Sequence, residues 1–345
     1  MSSSESSRPG LVLPVRVDPA GVAGPTPGQA RGPHWRRVAP GWHVPADTDS
    51  SVLDQRIVEA MAGTSDDAAV TGWASFGWRR ARWFGGLADD GRTTLDVPVA
   101  LHRLRGVRRR AGVEFSEDWL FDDDVEQIDR LRVTVPERSV SYEVCRARSL
   151  IAAVRTLDMA AASDLVDLAS LTRYAARLGS RPGVRLLRTA LTWADENVWS
   201  LQEVSMRLTW RSHVGCELLT NRPIFDLRGA HLLTPDLLDP EAGVVGEYDG
   251  PTHLEESGRR RDLDREALYR DHGLELVTMM AGRRSDAASF LDRLTATYRR
   301  AGERRGSQRT WATEQPGWWV DTSTVARRRD LTGGERALWL RRLGP

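Results

Sequence analysis

The chain predicts an α/β fold of the α+β kind: a mixed sheet flanked by helices, preceded by a smaller mixed α+β domain. Three observations carry this. The second half of the 345 residues runs helix, three strands, helix, strand, helix, an order that builds one sheet with helices laid against it. A Ser180-Arg181-Pro182-Gly183 break separates that series from an earlier set of shorter strands and helices. Apolar content of 40% and charged content of 28% are ordinary for a globular protein, and the length suffices for two cores.

Residues 1–30 are rich in Ser, Pro and Gly and are expected to be disordered. A first domain is expected over 31–180. It has strand-like pieces at 41–44, 93–99 and 131–135 and helical patterns at 52–62, 75–84, 147–158 and 161–178. Leu150, Ile151, Val154 and Leu157 recur at helical spacing. The basic cluster at 103–110 reads as a solvated loop. The second domain is expected over 181–302. Helices fall at 184–195 and 200–210, and strands at 223–226, 234–238 and 244–249. A helix over 259–272 is stopped by Gly273, and a strand at 274–280 and a helix at 285–298 complete the domain. The 303–345 tail mixes Arg with Trp311, Trp318, Trp319 and Trp339. Such a mixture suits a stacking surface for single strands, but the burial habits of Trp favour a segment that wraps its own domain.

Net charge is +1, so bulk electrostatics gives no case for nucleic acid, and any basic surface must be local. Every one of the 49 cationic residues is Arg, which leaves no lysine for an active site. Cys145 and Cys216 form no metal or redox motif, as expected of ordinary thiols in a reducing cytoplasm. Leu11-Val12-Leu13 is too short for the apolar part of a signal peptide, and no membrane segment is expected.

The pattern that carries chemistry is Thr234-Pro235-Asp236, followed by Glu247-Tyr248-Asp249-Gly250 and then His253. Strand side chains alternate, so Glu247 and Asp249 share a face with Val245 while Tyr248 points the other way. Asp236 ends a turn and opens the apolar run Leu237-Leu238. If these segments pair as a hairpin, Asp236, Glu247 and Asp249 converge at one end of a sheet. Carboxylates that close repel by roughly 4 kcal/mol per pair at an effective dielectric near 20. A cation is expected among them, and a divalent metal meets the need. Ser200-Leu201-Gln202-Glu203 fits a capping box, which by itself asks only that Glu203 cap its own helix. Arg207 is placed for an i,i+4 pair with Glu203. Asp262, Arg265 and Tyr269 fall on one face of the 259–272 helix, where Asp262 and Arg265 as a surface pair would contribute about 0.3 kcal/mol. His253 has the right unperturbed pKa to move a proton near neutrality, although an isolated His after a Gly-Pro turn is commonly a plain surface residue.

In this order and spacing, the motifs resemble the very-short-patch-repair type endonucleases of the PD-(D/E)xK, restriction-endonuclease-like superfamily. The residues are Ser200, Glu203 and Arg207; Asp226 and Gly229; Thr234-Pro235-Asp236; Glu247, Asp249, Gly250 and His253; and Asp262, Arg265, Tyr269 and Gly273. The resemblance covers 200–298, roughly a third of the chain. It implies a restriction-endonuclease-like sheet and hydrolysis of a DNA phosphodiester that depends on Mg²⁺ or Mn²⁺. Asp236 would be the main metal ligand, Glu247 the second acid, and Asp249 a further ligand or orienting group. Glu203 would complete the site from its helix and His253 would assist proton transfer, with Arg207, Asp262 and Arg265 in support. Two departures stand out. Asp249 occupies the place of the superfamily's motif lysine, and the repair enzymes' zinc lacks its cysteines here, so no zinc is expected.

More faintly, 35–179 is similar to the body of AbiEi-like antitoxin proteins. The likeness runs through Trp35-Arg36-Arg37-Val38, Gly41-Trp42-His43-Val44, the small-residue helix near 74–83 and Ala147-Arg148-Ser149-Leu150-Ile151. The winged helix that usually opens that family has no counterpart in 1–30. The expected function is therefore a metal-dependent DNA endonuclease in a repair, phage-defence or toxin–antitoxin setting. DNA is the expected partner, and the first domain is a possible protein-binding element. The alternative is a non-catalytic DNA-binding or antitoxin-type regulator that keeps the nuclease fold as a scaffold.

Overall fold

The computed structural model describes residues 8–88, 90–102, 109–249, 256–280, 285–303 and 309–342; for 256–263, 285–287 and 341–342 only the backbone is described. It is an α+β protein of two units that interleave in sequence. Met1–Ala147 with Ser170–Leu187 make the first, and Arg148–Ala169 with Arg188–Pro345 the second.

In the first unit, β1 (Val15–Arg16), β2 (Trp35–Ala39) and β3 (Trp42–Pro45) form an antiparallel sheet in the order β1-β3-β2. Helices α1 (Leu53–Met61) and α2 (Gly72–Trp78) alternate with the start of a larger sheet. That sheet contains β4 (Ala69–Val70), β5 (Val97–Ala100), β6 (Val113–Ser116), β7 (Val125–Ile128) and β8 (Leu131–Thr134), in the order β6-β5-β4-β8-β7. Its core gathers Ile57 and Val58 of α1, Trp73 and Trp78 of α2, and Val70, Val97, Val99 and Val133 of the strands. Helix α3 (Pro136–Cys145) follows β8.

The leader expected to be disordered folds onto this unit from Arg8. Arg8 is buried, donates to Asp54 at 3.1 Å, to Asp129 at 2.9 Å and to the Trp78 carbonyl at 2.6 Å, and stacks over the Trp78 ring at 3.5 Å. Asp54 in the first turn of α1 is itself buried and needs a cation. One such anchor is invisible to a composition count.

The chain then passes through α4 (Leu150–Ala162), α5 (Leu168–Arg177), α6 (Val184–Leu191) and α7 (Leu201–Val214). The single boundary expected at 180–183 is not the observed one. Helix α4, expected in the first domain, belongs to the second unit because its Asp158 and Arg155 bind Arg207 and Ser205 of α7. The helix expected over 161–178 is broken where Asp164 takes φ 57°, a left-handed conformation that stops α4.

The second unit continues with β9 (Leu219–Thr220), β10 (Ile224–Asp226), β11 (His231–Leu233), β12 (Leu237–Asp239), β13 (Val244–Asp249) and α8 (Glu256–Asp271). It ends with β14 (Glu275–Met280), α9 (Ser285–Glu303), β15 (Trp311–Ala312), α10 (Val325–Arg329) and α11 (Gly333–Arg342). The main sheet runs β14-β13-β12-β9, parallel between β13 and β14 and antiparallel elsewhere. Alternation along the strands splits the core in two. Leu237, Val244 and Val277 pack with Met206 and Trp210 of α7 and with Phe290 and Leu294 of α9. Leu238 and Val245 face the other way, toward Tyr269 of α8 and Ile224, Leu233 and Trp311 of the small sheet β11-β10-β15.

The tail wraps this unit, as the burial habits of Trp suggest. Strand β15 pairs with β10, and Trp311 and Trp339 are buried. Buried Arg328 of α10 donates to Asp164 at 2.7 Å. Among the described residues no helix is long and apolar enough to cross a membrane. Cys145 and Cys216 are free, half-buried thiols, one in each unit.

Gly246, in the middle of β13, allows α7 to approach the sheet. A Cβ there would stand 2.5 Å from Cζ3 of Trp210, a fully buried ring that donates to Tyr298 Oη at 2.9 Å. Gly246→Ala is expected to destabilise the second unit by about 1–3 kcal/mol through overpacking. A denaturant melt checks this, and an unchanged midpoint would show that Trp210 yields freely.

Candidate active site

Strands β12 and β13 meet at a tight turn over 240–243, pinned by Asp239 Oδ1 accepting from the Glu241 and Ala242 amides at 2.9 and 3.0 Å. The pairing Leu237↔Gly246, Leu238↔Val245 and Asp239↔Val244 sets Asp236 opposite Glu247 at the open end of the hairpin. The Tyr248 amide fastens the two strands there by donating to Asp236 Oδ2 at 2.7 Å. Asp236 has the parity of Leu238, and Glu247 that of Val245. Both therefore face α8 and the small sheet.

Helix α8 answers Glu247 directly. Arg265 Nη2 donates to Glu247 Oε1 at 2.6 Å and to the Thr234 carbonyl at 3.2 Å, and the buried Tyr269 hydroxyl donates to the same Glu247 oxygen. Glu203, in the first turn of α7, is only 7% exposed. Ser200 Oγ accepts from its amide at 3.2 Å, which is the first half of the expected cap. The Glu203 carboxylate turns to the Trp199 amide at 3.0 Å and to Asn221 Nδ2 at 2.7 Å. Asn221 in turn donates its backbone amide to the Asp236 carbonyl at 2.9 Å, so one residue ties Glu203 to Asp236. Asp236, Glu247 and Arg265 open into a cleft of 910 Å³ that Asn197, Trp199 and Asn221 also line.

Asp236 acts on each of the other two acids. Burial, and then the charge of Asp236, pushes the Glu203 carboxyl up to about 7. Burial also raises Asp236, against the opposing pull of the Tyr248 amide and Arg265. Glu247 is pushed to about 7 by burial, with Arg265 pulling it down and Asp236 pushing it up. Arg265 is held more firmly charged than usual: burial opposes this, but Glu247 and Tyr269 overcome it.

The structure thus brings Asp236, Glu247 and Arg265 together in the cleft lining, with Glu203 joined to Asp236 through Asn221 behind that lining. Asp249, expected as a further ligand, does not join them. It lies two residues further along β13, about 6–7 Å on, opposite Met280 of β14, and does not line the cleft. Arg207 does not make its expected pair with Glu203. It donates to Asp158 at 2.5 Å and to the Trp193 carbonyl at 2.6 Å. Asp158 is fully buried, and leaving such a charge alone would cost about 3–5 kcal/mol, more than a helical i,i+4 pair offers. His253 and Gly250 lie outside the described residues, as do the Asp262 side chain and most of the 103–110 cluster.

Asn221 was not anticipated. Its signal is an Asn two residues before Pro223, a turn sequence in which Asn takes φ 47°.

The donor types suit a hard divalent cation. Glu203 and Asp236 each commit one oxygen to protein amides, Glu203 to Trp199 and Asn221 and Asp236 to Tyr248. Magnesium is commonly held by one or two carboxylates, with water and phosphate completing its shell. A closed protein cage is not offered: among the described residues no group of three or more His, Cys, Asp or Glu is placed to hold an ion. No family model, curated protein or solved structure matches the chain.

With the Glu203 carboxyl raised from 4.5 to about 7, the folded protein keeps a proton that the unfolded chain has lost. Stability of the metal-free protein therefore falls as pH rises between about 4.5 and 7 and levels off above. Glu203→Gln removes this loss. In EDTA the variant is expected to exceed the parent by about 3 kcal/mol at pH 8 and by nothing near pH 4.5. Denaturant melts at the two pH values check it, and a variant weaker at both would contradict the assigned cost of burying a charge at Glu203.

Proposed function

We propose that the second unit is a divalent-metal-dependent DNA endonuclease, similar in its motif series to the very-short-patch-repair type enzymes. The observation that carries this reading is the hairpin that sets Asp236 opposite Glu247 in an open cleft, with Glu203 tied to Asp236 through Asn221. Asp236 and Glu203 would hold Mg²⁺ or Mn²⁺. The ion, when bound, neutralises charge building on a phosphate and lowers the pKa of bound water. The chain's own groups do the rest. Arg265, fixed by Glu247 and the Thr234 carbonyl, sets a permanent positive charge at the cleft wall, where the motif lysine is missing. Glu247 titrates near neutrality and can take or give a proton there. His253, by the resemblance, would assist that transfer. The first unit, faintly AbiEi-like, is the candidate for a protein partner, in a repair, phage-defence or toxin–antitoxin setting.

One observation favours a second reading. Arg265 and Tyr269 satisfy Glu247 fully enough for it to be a structural ion pair, as a non-catalytic DNA-binding or antitoxin-type scaffold would need. The two part on a simple assay. Supercoiled plasmid with Mg²⁺ or Mn²⁺ is expected to be nicked or linearised by the parent, and Asp236→Ala to slow this by roughly 100-fold or more. Cleavage that survives Asp236→Ala contradicts the nuclease reading. DNA binding in EDTA with no cleavage at any metal concentration decides for the scaffold.

A further inference from the structure

We infer that the cleft admits an unpaired DNA strand, with one base stacked on the indole of Trp318 beside the acids; this rests on the nuclease reading above. Trp318 is 59% exposed, whereas Trp311 and Trp339 of the same tail are buried. It is nonetheless held in place. Its Nε1 donates to the Gly229 carbonyl at 3.2 Å, and near-perpendicular contacts to Phe225 at 6.0 Å and Trp319 at 5.6 Å set the ring plane. A large aromatic that is both fixed and exposed binds a flat partner at little entropic cost.

The platform is continuous with the acids. Trp319 stacks on His231 at 4.8 Å, and His231 Nε2 meets Thr234 Oγ1 at 3.0 Å. The Thr234 carbonyl holds Arg265, which holds Glu247. Trp318, Trp319, His231, Asp236 and Glu247 all line the same 910 Å³ cleft, at the upper end of the range for ligand sites, about 300–1,000 Å³. Three further lining residues carry a buried polar atom with no partner among the described residues: Asn197 Oδ1, Trp199 Nε1 and Trp339 Nε1. A ligand with hydrogen-bonding edges suits them better than an apolar one.

Charge selects among nucleic acids. The described lining holds Asp236, Glu247, Asp264 and Asp321 against Arg265. A bound divalent cation would offset part of that charge, and what remains repels a duplex, with twice the phosphates per length, more than a single strand. Stacking does not depend on that charge and tolerates any sequence, but it needs a base with a free face, which a paired strand does not present.

The test is fluorescence anisotropy of labelled oligonucleotides with the full chain, in Mg²⁺ and in EDTA, alongside plasmid cleavage by the parent. The parent is expected to bind a single strand more tightly than the same sequence as a duplex. Trp318→Ala should weaken single-strand binding roughly 5- to 150-fold. Trp318→Phe should restore most of it, and an abasic strand should bind parent and Trp318→Ala alike. Parent-like binding by Trp318→Ala, equal binding of duplex, or no binding of the single strand overturns the inference, and cleavage by the parent in those cases leaves the nuclease reading standing. Base-dependent binding lost in Trp318→Ala, with neither plasmid nor the single strand itself cleaved in any metal, supports the platform while removing the hydrolase.

Discussion

Two carboxylates facing each other across an antiparallel pair constrain everything around them. Like charges directly opposite on one sheet face are unfavourable, and the penalty grows as solvent is excluded. At the open end of the β12–β13 hairpin, Asp236 and Glu247 take these positions because the strand register demands it. The register is secured from both faces by Leu237 and Val244 on one and Leu238 and Val245 on the other. A one-residue slip would turn those four side chains out of their cores. Core packing therefore holds the acids where electrostatics alone would not.

The surroundings answer that repulsion unevenly. Glu247 receives Arg265 and Tyr269 from α8, whereas the donors to Glu203 among the described residues are neutral, the Trp199 amide and Asn221 with them. The Glu203–Asp236 end of the cluster is thus the part with unmet need for positive charge. This asymmetry follows from topology: α8 lies over one face of the sheet, while Glu203 arrives from α7, which packs its Met206 and Trp210 against the other.

Much of the second unit was legible in the sequence because its signals are local. The alternation in Val244–Asp249 and the Gly273 stop specify β13 and the end of α8 with little help from elsewhere. The acids Asp236 and Glu247 could be placed together for the same reason. What escaped was non-local. Arg207 reads as a partner for Glu203 until Asp158, on a helix that sequence assigns to the other domain, claims it. Asp249 satisfies the alternation rule, yet the strand carries it past the cleft. Arg8 anchors a leader whose composition suggests no structure, because a buried aspartate and a Trp face distant in sequence need it. Short strands such as β9 and β15 carry too few residues for any periodicity and form only because β12 and β10 offer free edges.

The account stands on the claim that Asp236 and Glu203 share a doubly charged cation, and proton release on metal binding tests it most directly. The Glu203 carboxyl, pushed up to about 7, must surrender its proton to become a ligand. Mn²⁺ titrated into the metal-free chain at pH 6.5, by calorimetry in buffers of differing ionisation enthalpy, is predicted to bind with release of about one proton per ion. The release should vanish with binding in Asp236→Asn. Binding that releases no proton and survives Asp236→Asn would contradict the account.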